Sequence, residues 1–172
     1  MKRTLLFALS SILFIFSHIV CAKSIDPTLK LINIKSISTM EKRGDEVYMM
    51  VTVYPSDDKP KHYHIPKTPL YWPSEHLDKI KLLNIWHAEI KKDQAVTLIL
   101  SLMDRDAPPW NTDDLIGEIK VQLKNNKGEL ESTWSLPNRT DPPITVMSKY
   151  GEARKFELMN DGGKYELYLV LK

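Results

Sequence analysis

The 172-residue chain holds 24 basic and 22 acidic residues, a formal net charge of +2, and a single cysteine. One cysteine excludes an internal disulfide, so stability must come from a packed core. Near-balanced charge excludes the long-range field that steers a protein onto nucleic acid.

The first 22 residues read as a cleavable export signal. Lys2 and Arg3 open it, an apolar stretch runs from Leu5 to Phe16, and small residues allow a cut after Ala22. A retained anchor is the competing reading, but Ser10, Ser11, Ser17 and His18 interrupt a stretch already short of the roughly 20 apolar residues a span needs. Cys21 falls inside this segment and Val20 before it is not small, which suits a lipoprotein site poorly. Residues 23–172 then form one domain, secreted or periplasmic, monomeric, and with basic and acidic residues in balance once Lys2 and Arg3 are gone.

Along that domain the dominant signal is period-two alternation, which places successive side chains on opposite faces of a strand. Residues 29–37 are a first, less regular candidate. Val47, Met49, Val51 and Val53 share a face. From Ser74 to Ile90 two readings compete. Ser74 could cap a helix with Leu77, Ile80 and Leu83 at helical spacing, while Ile80, Leu82, Trp86, Ala88 and Ile90 alternate and favour a strand in the second half. Leu98, Leu100 and Leu102 alternate again, residues 116–123, 144–147 and 155–159 are shorter candidates, and Tyr165, Leu167, Leu169 and Leu171 close the chain after a turn at Asp161, Gly162 and Gly163. Short strands separated by polar turns predict an all-β antiparallel sandwich of eight strands.

The most informative passage is Leu98 to Leu123. Asp104 and Asp106 leave a strand on the same side, and a returning loop can bring Asp113 or Asp114 beside them. Packed carboxylates repel unless a cation binds them, and oxygen ligands on a flexible loop suit Ca²⁺. The alternative is a solvated acidic turn, since Asp and Asn favour turns for local reasons.

The segment LSLMDRDAPPWNTDDLIGEIKVQL, with an apolar strand, Asp-x-Asp, an interval, Asp, two apolar residues, Gly and a closing strand, resembles the third-loop region of C2 domains. The order of the remaining strands is compatible, with Gly44-Asp45-Glu46-Val47-Tyr48 at the first loop. The resemblance implies a C2-like β-sandwich, a Ca²⁺ cofactor held by Asp45, Asp104, Asp106, Asp113 and Asp114, and a phospholipid membrane surface as partner. Arg105 and Trp110 on the loop, and Lys59, Lys61, Tyr63 and Lys67 on a basic strand, are the lipid-contacting residues it implies. Two features depart from the family pattern: the interval between Asp104 and Asp114 is longer, and the first loop offers only Glu41 before Asp45.

Each motif has a plainer reading. Trp110 could fold back over the sandwich edge. The lysines and Pro60 and Pro66 could simply protect an edge strand. His62 and His64 could hold zinc with His76 or His87, or be ordinary surface. No nucleophile elbow, phosphate-binding glycine loop or zinc-protease helix occurs, so the chain reads as a binding module and not an enzyme. The alternative to the lipid module is a protein–protein interaction sandwich without metal, such as an adhesin, inhibitor or envelope-assembly subunit.

Overall fold

A computed structural model describes residues 23–106, 112–137, 139–140, 142–147 and 150–172; residues 1–22, where the export signal is expected, and residues 107–111, 138, 141 and 148–149 lie outside the described residues. Among these, eleven strands occur: β1 (Thr28–Ser38), β2 (Glu46–Pro55), β3 (Lys61–Ile65), β4 (Trp72–Pro73), β5 (Leu83–His87), β6 (Ala95–Asp104), β7 (Asp114–Asn126), β8 (Glu129–Ser135), β9 (Ile144–Met147), β10 (Arg154–Asn160) and β11 (Gly163–Leu171), with a short 3-10 helix at Ser74–Lys79. They form two antiparallel sheets. One runs β10-β11-β1-β5, the other β3-β2-β6-β7-β8-β9 with β4 pairing onto β2.

The alternating residues do what their spacing dictates. Val47, Met49 and Val51 of β2, Leu98, Leu100 and Leu102 of β6, and Ile119, Val121 and Leu123 of β7 turn inward from one sheet. They meet Leu29, Leu31, Tyr165, Leu167 and Leu169 from the other, all essentially without exposure. Full burial of each such aliphatic side chain contributes about 1.5–3 kcal/mol relative to leaving it in water. The prediction of an all-β sandwich agrees with this architecture, and the strand count rises from eight to eleven.

The differences have local causes. In β1, shifts in register between Leu31 and Asn33 and between Ser36 and Ser38 flip the parity, so Ile34 is buried and Ile37 exposed. The 74–90 stretch divides: its first half is the 3-10 helix, its second half β5. Ser74 does not cap that helix; its buried hydroxyl accepts the Asp45 amide instead, at 2.9 Å. In β5 a bulge opposite Leu29 and Lys30 puts both Ile85 and Trp86 inside and leaves Leu82 exposed, against the simple alternation expected. β8 was not anticipated because Ser132 occupies an inward position between Leu130 and Trp134. Its hydroxyl is satisfied there by the Trp134 indole N–H at 3.1 Å.

Candidate functional site

The start of β2, the end of β6 and the start of β7 lie side by side, because Val47 pairs with Asp104 and Asp104 with Asp114. That register, set by the apolar alternation of three strands, brings the acidic residues to one end of the sandwich. The approach to β2 turns at Gly44, whose φ of +89° suits glycine and whose missing side chain leaves room for Ser74 Oγ, 2.7 Å from where a Cβ would stand.

Asp45, the next residue, is only 2% exposed. Its Oδ1 accepts the Glu41 amide at 2.9 Å, its Oδ2 accepts the Met40 amide at 3.0 Å, and the Tyr165 hydroxyl donates to Oδ2 as well. This carboxylate therefore organises the loop before β2. Burial, and then the bond to Asp45, push the Tyr165 hydroxyl well above the usual phenol range.

Asp104 is 4% exposed and accepts the Glu46 amide on Oδ1 at 2.8 Å. Burial pushes its pKa up to about 6; Asp45, Asp106 and Glu41 add repulsion, and the Glu46 N–H opposes the shift. Beside it, Asp106 has a buried Oδ2 with no hydrogen-bond partner among the described residues. Such an atom forfeits its hydration without replacement, a cost of about 1–3 kcal/mol for a polar group and more for a charged one.

Asp113 has a different task. Its Oδ1 accepts the Asp106 amide at 3.1 Å and its Oδ2 accepts the Tyr48 hydroxyl at 2.7 Å, which latches the loop onto the outer face of β2. Desolvation, and then the bond to Asp113, raise the Tyr48 pKa. Asp114 lies opposite Asp104 in the ladder with an exposed side chain.

Arg105 ties the end together, its amide donating to Glu46 O at 2.9 Å and its guanidinium standing 5.8 Å from the centre of the Tyr71 ring. A hollow of about 450 Å³ opens here, lined by Glu41, Arg43, Glu75, Asp104, Arg105 and Asp106 among others. Tyr48, Tyr71 and Tyr165 were not singled out as site residues in the sequence; a tyrosine in an apolar alternation gives no sign of which carboxylate its hydroxyl will reach.

The donor set for a cation is thus narrower than the five aspartates of the resemblance. Among the described residues no three His, Cys, Asp or Glu side chains stand together as a ready metal cage. Asp45 spends its oxygens on the loop backbone and Tyr165, and Asp113 spends its own on Tyr48 and the Asp106 amide. Asp104 and Asp106 are the pair whose chemistry suits a cation, since one oxygen is orphaned and the partner carboxylate is held in repulsion.

The basic strand is differently placed. Lys61 and Tyr63 of β3, with Lys67 beyond it, line a cleft at the side of the sandwich, where Lys61 pairs with Asp58 at 2.9 Å. Lys59 is exposed, its amide accepted by Asp58. His87 of β5 contacts Thr28 of β1 and Asp26, whereas His62 of β3 bonds Thr52 on β2. Pro108, Pro109 and Trp110 lie outside the described residues.

No protein-family model matches the chain, and no curated protein matches it. Among solved structures it is similar to human GIVD cytosolic phospholipase A2 in complex with methyl gamma-linolenyl fluorophosphonate, at a TM-score of 0.35 and 10% identity. The match covers 87% of this chain and 32% of the phospholipase chain, so the chain spans about a third of that protein's length.

Proposed function

We propose that the chain is an exported, non-enzymatic binding module of C2 type whose loop end docks on a phospholipid surface around a calcium ion shared by Asp104 and Asp106. The observation that carries this reading is the orphaned Oδ2 of Asp106 beside a buried, mutually repelled Asp104. A divalent cation between them relieves both costs at once. Two carboxylates would leave most of the 6–8 oxygen positions of Ca²⁺ to backbone carbonyls, water and lipid phosphate, and the expected affinity is then the roughly 10⁻⁴–10⁻³ M range of extracellular modules. Arg105 over Tyr71, and Leu70 at 47% exposure nearby, supply a cation and an apolar contact at the same end. A basic residue near an anionic membrane gains about 1 kcal/mol.

Sedimentation with phosphatidylserine–phosphatidylcholine vesicles tests the reading. The protein is expected to pellet with vesicles in millimolar Ca²⁺ and to stay in solution with chelator, and the Asp104→Asn, Asp106→Asn double variant is expected to stay in solution in both. Pelleting that ignores chelator removes the calcium; no pelleting at any Ca²⁺ concentration removes the lipid.

A further inference from the structure

The two sheets do not close on each other along one side. There β3, the edge of the larger sheet, faces β5, the edge of the smaller one. Between them lies a cleft of about 790 Å³, away from the carboxylate loop. Its floor is core: Val53, Ile85, Trp86 and Val96 line it, and each keeps between 4% and 8% exposure while residues at the centre of the sandwich keep none. Its walls are backbone. Among the described residues the backbone of β3 pairs only with β2 and that of β5 only with β1, and the Tyr63 hydroxyl crosses the cleft to donate to Ile85 O at 2.8 Å.

We propose that this cleft is a receptor for an extended peptide segment of a partner protein, which adds as a strand to β3 and places alternate apolar side chains on the core floor. The chemistry of the walls decides the class of occupant. Unpaired N–H and C=O groups along an edge are satisfied by another backbone and offer nothing to an acyl chain. An apolar floor reached through such an edge asks for side chains at period two, as a strand presents them.

The length is bounded. Pro60 and Pro66 bracket β3 and lack the N–H needed to continue pairing, so the docking edge is the five residues Lys61–Ile65, about 16 Å long. The ends differ in charge. Lys67 stands beyond the C-terminal end of β3 with no ion pair among the described residues, while Asp57 and Glu89 line the cleft without a cationic partner. The complementary strand carries an acidic residue towards Lys67 and a basic one towards Asp57 and Glu89.

The experiment is to pan a phage-displayed library of random dodecapeptides on the purified protein and to study the enriched peptides in solution. Enrichment of sequences with apolar residues at alternate positions is expected, together with amide hydrogen exchange in Lys61–Ile65 slowed roughly tenfold on binding. Ala88→Trp, which fills the cleft from a half-buried lining position, should weaken these peptides roughly tenfold or more. Lys67→Glu, on an exposed residue, should instead turn the preference of a second round from acidic to basic residues at that end.

The proposal is overturned by no enrichment above a blocked surface, by exchange protection confined to other strands, or by affinities that neither substitution changes. Dodecanoate binding that wild type shows and Ala88→Trp loses, with no peptide enriched, would also overturn it and assign the cleft to an acyl chain.

Discussion

The two ends of β7 handle buried polarity in opposite ways. At one end Asn125, without exposure, is satisfied: its Nδ2 donates to Lys23 O and Ile90 O at 2.9 Å each, and its Oδ1 accepts the Gly128 amide at 2.7 Å. A neutral amide there stitches the start of the domain, the segment after β5 and the β7–β8 turn into one corner. At the other end the buried side chains are carboxylates, Asp104 is pushed towards protonation by burial and by its neighbours, and an oxygen of Asp106 has no partner. The first arrangement stabilises the fold in any medium. The second costs stability unless something positive arrives, and sites that bind are where a fold tolerates such a cost.

Breaking the satisfied corner should have the largest effect. Asn125→Ala removes three hydrogen bonds and strands buried partners, and urea unfolding should show a loss of about 3 kcal/mol or more. Calcium should not change that loss.

The strained end responds with the opposite sign. The Asp104 pKa of about 6 lies above its ordinary value of 3.8, so between those values the folded state holds the proton more firmly than the unfolded one. The stability it contributes is complete below about pH 4 and disappears as pH rises through 6. With chelator present at pH 7, Asp104→Asn should therefore stabilise the protein by about 2 kcal/mol and flatten the slope of stability against pH between 4 and 6. The smallest effect is expected from Tyr48→Phe. It releases the exposed Asp113 carboxylate, which water can resolvate, at a cost of about 1 kcal/mol, and quickens exchange of the Asp106 amide.

How far the sequence could disclose this contrast follows from the same physics. Alternation over β2, β6, β7 and β11 specifies which face is inside, and the register of those strands then forces Asp45, Asp104 and Asp114 to one end. Two-sheet architecture and the convergence of acids were legible for that reason. Bulges were not: the extra residue in β5 and the shifts in β1 leave composition unchanged while reversing parity. Nor was the division of labour among the aspartates. The satisfied state of Asp45 depends on the amides of Met40 and Glu41 and on Tyr165 far along the chain, and that of Asp113 on Tyr48 in a strand it never pairs with. Ser132 hid β8 because its hydroxyl is satisfied by a neighbouring indole that only the folded strand presents.

The claim on which the functional account rests is that Asp104 and Asp106 together lack a positive charge. Calorimetric titration of the protein with Ca²⁺ at pH 7, alongside the Asp104→Asn, Asp106→Asn variant and an Asp113→Asn variant, tests it directly. Saturable binding with a dissociation constant of roughly 10⁻⁴–10⁻³ M is expected for wild type, retained at reduced strength by Asp113→Asn and lost in the double variant. Absence of heat and of any thermal shift for wild type at several millimolar Ca²⁺, or unchanged binding in the double variant, would contradict it.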